Sequence, residues 1–227
     1  DDDCLPDLRC MGTQTLVQSF AQRTQRPEVL VMASGISFYG DQGDTDLTES
    51  SPAGSGFLSE LTQEWEAAGS RAEDLGIRVV LLRLGVVLSG AGGALEKMRR
   101  PFRMGLGGPL GSGAQWFPWI HIDDVVGVIQ WALQTPSARG AYNLVAPEQV
   151  QQRDFARSLG RAMGRPAVLP APEFALRLTF GELADEAMLA SHRARPFRLK
   201  SADFPFQWPE LAPALEDVVR GGSTAPA

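Results

Sequence analysis

Lysine is almost missing from this chain of 227 residues: Lys97 and Lys200 are the only two, and the rest of the basic charge is arginine. Histidine is equally sparse. His121 and His192 are too few for a His-rich metal site, and a Ser-His-Asp triad has only those two to draw on. Cysteine is confined to Cys4 and Cys10, with no histidine cluster beside them, so both are read as free thiols of a reducing compartment. No apolar run is long enough to span a bilayer, and the acidic residues 1–3 are the wrong start for a secretory signal. A soluble, cytoplasmic protein without membrane contact is expected. The net charge of −6 argues against a nucleic-acid partner. Walker, G-x-S-x-G and H-E-x-x-H motifs are absent, and Gly105-Leu106-Gly107 has Leu110 where the third glycine of a G-x-G-x-x-G loop belongs.

What is present reads as a packed α/β protein. The chain is 44% hydrophobic and 21% charged, ample for a core. Leu8, Leu16 and Phe20 fit a short amphipathic helix that ends before Pro27. Val29-Leu30-Val31-Met32 is an apolar run of strand length that stops at the turn-like Ala33-Ser34-Gly35. Past a polar loop at residues 41–55, Phe57, Leu58, Leu61, Trp65 and Ala68 share one helix face. Gly76 closes that helix and Val79-Val80-Leu81-Leu82 follows as a second buried strand. Continuous rather than alternating apolar strands, spaced by helices, predict a parallel sheet covered on both faces. Further on, Asp123-Asp124 opens a helix through Val125, Val128, Ile129 and Leu133, and residues 141–145 form a short strand. From Ala146 the pattern turns helical and Pro-punctuated, with helices around Phe155, Leu159 and Met163, at 174–180, at 183–189 and at 209–219. The expected division is therefore 1–146, an α/β part, and 147–227, a smaller mainly helical part, with a frayed tail from Gly221.

Two places carry polar groups suited to chemistry. Ser34 ends a buried strand, where ligands of open α/β sheets bind, and its hydroxyl either meets a substrate oxygen or caps a turn. Residues 101–124 combine closely spaced glycines, the arginines Arg99, Arg100 and Arg103, and the aromatics Trp116, Phe117 and Trp119. They read either as an anion-binding loop or as a mobile loop followed by a core aromatic cluster.

The segments V-L-V-M-A-S-G-I-S-F-Y-G, F-L-S-E-L-T-Q-E-W-E-A-A, V-V-L-L-R-L-G-V-V-L-S-G-A-G-G-A-L-E-K-M and G-L-G-G-P-L-G-S-G-A-Q-W-F-P-W-I-H-I-D-D occur in this order. Together they resemble the epimerase-family proteins of the extended short-chain dehydrogenase/reductase superfamily. N-L-V-A-P-E-Q-V through R-P-F-R-L-K-S-A-D-F-P-F-Q-W-P-E-L resembles the small C-terminal domain of unknown function that marks one branch. The resemblance implies an incomplete Rossmann-like, doubly wound sheet, because the match begins near Leu8-Arg9, past the Gly-rich loop and first βαβ unit with which members of the family open. It implies NADP (or NAD) as cofactor, no metal, and a small-molecule substrate, nucleotide-linked as one option. The activity implied for the intact protein is oxidoreductase or epimerase chemistry; the alternative is a non-catalytic nucleotide-binding or scaffold protein. On the same ground, a chain without the loop is expected to be inactive alone and, with an uncovered apolar sheet edge, less soluble than the complete protein. No motif sets the oligomeric state.

Residue by residue, the resemblance puts Arg9 on the cofactor and Ser34 at the catalytic Ser/Thr position, where it also touches cofactor. The Tyr-x-x-x-Lys pair falls on Leu58 and Thr62, so Leu58 lies beside the cofactor without a phenol. Tyr39 and Tyr142 are followed four positions later by Gly43 and Ala146, so the pair exists nowhere in the chain. General acid/base help is worth roughly 10²–10⁴-fold in rate, and the phenol nearest Ser34 is Tyr39, the candidate substitute. Arg83 ends an apolar strand and needs a partner, either a ligand phosphate or carboxylate, which makes it a cofactor contact, or a structural acid such as Glu66. Arg103, Trp119 and His121 align with the region that closes over substrate.

Overall fold

The computed structural model describes residues 5–181 and 183–221, with side chains from residue 8 onward. Cys4, the acidic residues 1–3 and tail residues 222–227 lie outside the described residues. The chain runs α1 (Leu5–Ala21), β1 (Val29–Gly35), β2 (Asp46–Leu47), α2 (Phe57–Ser70), β3 (Arg78–Leu84), β4 (Val86–Leu88) and α3 (Gly93–Arg103). It continues through β5 (Trp116–Phe117), β6 (Trp119–His121), α4 (Ile122–Gln134), β7 (Gly140–Leu144), β8 (Val150–Gln151) and α5 (Gln152–Met163). Last come α6 (Glu173–Phe180), β9 (Arg193–Ala194), α7 (Phe197–Ser201) and α8 (Leu211–Arg220). Residues Ala184–Leu189, expected as an ordinary helix, form a π-helical turn.

The central sheet is parallel in the order β1-β3-β7. Side chains alternate across a strand, and β3 shows the consequence. Val79 and Leu81 join Val17 and Met32 in a core on the α1 and α2 side, whereas Val80 and Leu82 join Val125, Val128, Leu144 and Leu199 on the α4 and α7 side. Both faces are buried, which is why the strands read as unbroken apolar runs. This is the doubly wound Rossmann-like arrangement, with a helical C-terminal part. A further core packs Leu88, Leu95 and Trp119 against Phe155, Leu159, Leu211 and Leu215, so residues on both sides of Pro147 share it. Each fully buried leucine there contributes roughly 1.5–3 kcal/mol. Among the described residues, no helix is long and apolar enough to cross a membrane.

Candidate active site

β1 does not stop at Met32. It runs three residues farther, to Gly35, and this fixes which way Ser34 points. Ser34 shares a face with Met32, toward α2. It is in register with Arg83 on β3, and Arg83 with Asn143 on β7, so one polar row crosses the C-terminal ends of the three strands. α2 lays Glu66 over that row. The Ser34 hydroxyl donates to Glu66 Oε1 at 2.5 Å. Arg83 pairs with Glu66 through Nε (2.9 Å) and Nη2 (2.8 Å) and donates from Nη1 to the Tyr39 hydroxyl at 2.9 Å. That hydroxyl reaches Asn143 Oδ1 (2.8 Å) and the Thr48 carbonyl (2.9 Å), sharing one proton between two acceptors. Phe38 covers the guanidinium at 3.4 Å. The row is sealed, with Ser34, Arg83, Glu66, Asn143 and Tyr39 all buried.

This geometry gives several of the expected site residues partners inside the protein. Of the two partners open to Arg83, the structural acid Glu66 holds it in this structure. The Tyr39 ring has 0% exposure. Burial pushes its phenol above the ordinary value, against the lowering pull of Arg83 and Asn143. Ser34 is spent on Glu66. Trp119 and His121 are each 1% exposed and belong to the interior. The Trp119 indole donates to the Glu148 carbonyl. His121 caps α4, Nδ1 accepting from the Asp123 amide at 3.1 Å, and stacks on Trp208. Arg103 is half-exposed and forks onto Glu96 at 2.7 and 3.1 Å. Arg9 lies at the surface with its guanidinium 5.1 Å from the centre of the Trp65 ring.

The opening at this strand end lies one turn farther along. Residues Ile36–Tyr39 form a 3-10 turn, and Gly40, at φ 59°, reverses the chain where a Cβ would strike the Ser55 carbonyl. Next to it is a cleft of about 160 Å³, with Ser37, Asp41, Leu58 and Ser59 on one side and Asp185, Glu186 and His192 from the C-terminal segment. Ser37 meets Thr62 at 3.0 Å, while Thr62 already donates to the Leu58 carbonyl at 2.6 Å. The proton between the two hydroxyls therefore belongs to Ser37, whose oxygen keeps accepting capacity toward the cleft. Glu186 caps α2 from 128 residues away, accepting from the Phe57 and Leu58 amides at 3.0 and 2.6 Å. This is the carboxylate a helix N-terminus favours. His192 is held by its flanks: the Ser191 amide donates to Asp41 Oδ1, the Ser191 hydroxyl to the Gly43 carbonyl, and the His192 amide to the Trp116 carbonyl. β9, which follows, pairs with β2 and matches Arg193 and Arg195 to Asp44 and Asp46. The imidazole is buried. Desolvation pulls its pKa down to about 4, despite the opposing charge of Asp41.

Ser37, Asp41, Glu186 and His192 were not singled out by sequence reasoning. One signal was available for His192: the matched i, i+2 spacings of Asp44 and Asp46 with Arg193 and Arg195 suit neighbouring strands.

An open parallel sheet with helices on both faces and a polar cleft at its carboxyl ends is the architecture of a nucleotide-binding Rossmann-like protein of the short-chain dehydrogenase/reductase type. The NAD dependent epimerase/dehydratase family matches residues 7–145, and a domain of unknown function, DUF1731, matches residues 171–218. The chain belongs to this epimerase family, in the branch of the extended superfamily that carries the C-terminal domain. It is 41% identical to the bovine (Bos taurus) epimerase family protein SDR39U1 over 213 residues, 93% of this chain and 72% of that protein. The crystal structure of human epimerase family protein SDR39U1 (isoform 2) with NADPH superposes with a TM-score of 0.89 at 35% identity, over 95% of this chain and 73% of that one. The dTDP-glucose 4,6-dehydratase of Bacillus anthracis in complex with NAD shares the fold, with a TM-score of 0.76 at 15% identity over 97% and 69% of the two chains.

Proposed function

We propose that the protein is an NADP-dependent oxidoreductase or epimerase-like enzyme that turns over a small, neutral or nucleotide-linked substrate in the cleft beside Ser37. The observation that carries this reading is the cleft itself. It sits at the carboxyl ends of the parallel strands and is lined by the Ser37 hydroxyl oxygen, an apolar wall at Leu58 and His192. The NADPH in the human relative's structure and the NAD in the dehydratase's support a pyridine nucleotide as cofactor.

The residues fit such a group. Leu58 offers a flat apolar contact for a nicotinamide ring, and the exposed Arg9 guanidinium suits a phosphate. When bound, the cofactor supplies or accepts hydride. In this reading Ser37 accepts a hydrogen bond from a substrate hydroxyl, beside the Ser34 position to which the family resemblance gives the catalytic Ser/Thr role. Ser34, Arg83 and Tyr39 keep the strand ends in place through Glu66, and Arg103, Trp119 and His121 support the loop and helix that close the domain. Leu58 and Thr62 carry neither phenol nor ammonium, so the proton must come from another group or from water.

The second reading is a non-catalytic nucleotide-binding protein, favoured by that same substitution at 58 and 62. Calorimetric titration with NADPH separates the cases, using this chain beside a version extended by a Gly-rich βαβ unit, since these 227 residues contain no G-x-G-x-x-G. Binding by the extended form, followed by NADPH oxidation with a panel of carbonyl and sugar-nucleotide compounds, is the expected result. Binding without turnover on any compound selects the second reading. Binding by neither form removes the cofactor and both readings with it.

A further inference from the structure

The charge of the chain is unevenly spread. Its sum is −6, yet α3 and residues 152–165 together hold eight lysine and arginine residues against two acids, Glu96 and Asp154, so the remainder is twice as negative as the whole. On α5 the basic residues are ordered. Arg153, Arg157 and Arg161 recur every four positions, which puts them on one face of the helix at steps of about 6 Å along its axis. Arg165 continues the row past the left-handed Gly164, its amide held by the Gly160 carbonyl at 2.8 Å. All four are exposed. Elsewhere on the surface Arg103, Arg177, Arg195 and Arg220 each meet a carboxylate at 3.3 Å or less. In the row only Arg157 has one, Asp154 at 3.4 Å; among the described residues Arg153, Arg161 and Arg165 form no ion pair.

Apolar side chains lie beside this row. The chain leaves α5 and turns back along it. A Cβ on Gly160 would meet the Arg165 carbonyl at 2.8 Å and the Ala167 Cβ at 2.9 Å, and at the other end the Arg153 amide donates to the Gly113 carbonyl at 2.9 Å. Between those points residues 165–171 run against residues 107–111, the Leu169 amide bonded to the Gly107 carbonyl at 3.2 Å and the Ala171 amide to the Pro109 carbonyl at 2.8 Å. Val168 and Leu169 on one segment, and Leu106 on the other, are 71%, 48% and 57% exposed. They protrude from the surface and do not line a groove.

We propose that this face, the row from Arg153 to Arg165 with Leu106, Val168 and Leu169 beside it, docks on an anionic lipid bilayer. Each part of it meets one part of that surface. Anionic headgroups strengthen binding about fivefold for each arginine brought near them, and the guanidinium fork suits phosphate oxygens. Exposed leucine and valine side chains gain by entering the boundary between headgroups and acyl chains. A nucleic acid would use the arginines and gain nothing from the apolar side chains, and an acidic peptide would need a groove to seat its own. The acidic remainder of the molecule is repelled by the same surface, which turns α5 toward it. No helix among the described residues is long and apolar enough to cross a membrane, so the docking is peripheral. The absence of membrane contact expected above rested on the lack of a spanning run; the placement of charge points the other way.

The test is co-sedimentation of the whole chain with vesicles of phosphatidylcholine, alone or with about 30% phosphatidylglycerol. At about 0.1 M salt, sedimentation with the anionic vesicles only is expected, weakening at about 0.5 M, where the screening length is a few ångströms. Arg157→Gln with Arg161→Gln should lower binding about 25-fold. Arg23→Gln with Arg139→Gln makes the same change of charge at exposed sites outside the row and should lower it by about twofold at most. Val168→Ser should weaken binding about fivefold. Unchanged urea midpoints confirm that the variants are folded. Sedimentation with neither vesicle, equal binding to both, or equal loss in the two double variants overturns the proposal. So does a Val168→Ser chain that binds as the parent does, since the contact would then be ionic alone. Poly-L-glutamate or a DNA duplex bound as tightly as the anionic vesicles would also overturn it, and would make an acidic protein or a nucleic acid the occupant.

Discussion

Two sets of polar side chains meet at the end of β1, and they differ in whether their hydrogen-bonding capacity is used up. In the row formed by Ser34, Glu66, Arg83, Tyr39 and Asn143, polar atoms are matched to partners inside the protein. In the cleft that follows along the chain, Ser37 keeps accepting capacity, and His192 in its wall carries a buried Nε2 without a partner among the described residues. Burial alone does not distinguish them, since Ser34 and His192 are both below one-tenth exposed. The difference teaches that a polar group at a strand end whose bonds are all made inside the protein acts there as framework. A closed network rigidifies and orients; an open one waits for a ligand.

The sharpest way to break this contrast is to open the closed row. Glu66→Ala would leave the Arg83 guanidinium buried without its counter-charge, and removing one member of a buried ion pair costs about 3–5 kcal/mol. Urea unfolding should show a large fall in midpoint. Replacing both partners at once, Glu66→Leu with Arg83→Met, should recover much of the loss, because a buried pair and a well-packed apolar pair are often close in stability. A single variant that loses under 1 kcal/mol would mean the row is not framework, and Arg83 would again be available to ligand.

A smaller effect tests the open set. The His192 pKa is about 4 in the folded chain and 6.5 for an unperturbed imidazole. Between those values the unfolded chain binds more protons, so the folded state is stabilised as pH rises through that window. The contribution is fully present above pH 6.5 and lost as pH falls toward 4, on the order of 3 kcal/mol in all. The charges around the ring are Asp41, Asp185 and Glu186 at the cleft, with Glu148 and Arg193 on its other side. Asp124, whose carboxyl burial pushes up, acts with the opposite sign at low pH. The readout is therefore the change with pH in the stability difference between the parent and His192→Gln from pH 4 to 7, which should level off to a constant above 7. A flat difference would show that the ring is hydrated and the cleft wet.

How much of this was legible in the sequence follows the same contrast. The parallel strands were visible because apolar residues fill both faces of β1 and β3, a local signal. The family was visible because the Gly-rich aromatic segment before Asp123-Asp124 has a distinctive order of residues. The partner of Ser34 was not visible from its neighbours in the sequence. The strand was expected to stop at Met32, and three more extended residues turn the serine toward Glu66. Trp119 and His121 carry reactive-looking side chains that the fold uses as interior packing and a helix cap. His192 and Glu186 reach the cleft from more than 120 residues away through pairing of β9 with β2, which no periodicity within either segment announces.

Glu186 is where the two sets touch, and its removal should have the smallest effect. Its carboxylate satisfies the first amides of α2, as a helix cap would, and also borders the open cleft. Among the described residues no charged partner of the opposite sign holds it there, so the contact is worth about what a capping side chain is, 0.5–2 kcal/mol. Glu186→Ala should lower the melting temperature by a few degrees. Amide exchange should quicken at Phe57 and Leu58 while β3 stays protected, since capping bonds act within the first turn. Because the row beneath α2 is anchored by Glu66, one helical stretch farther on, the Arg83 pair should be untouched. If β3 exchanged faster as well, the two sets would be one cooperative unit, and the division between framework and site drawn from their hydrogen bonds would have to be given up.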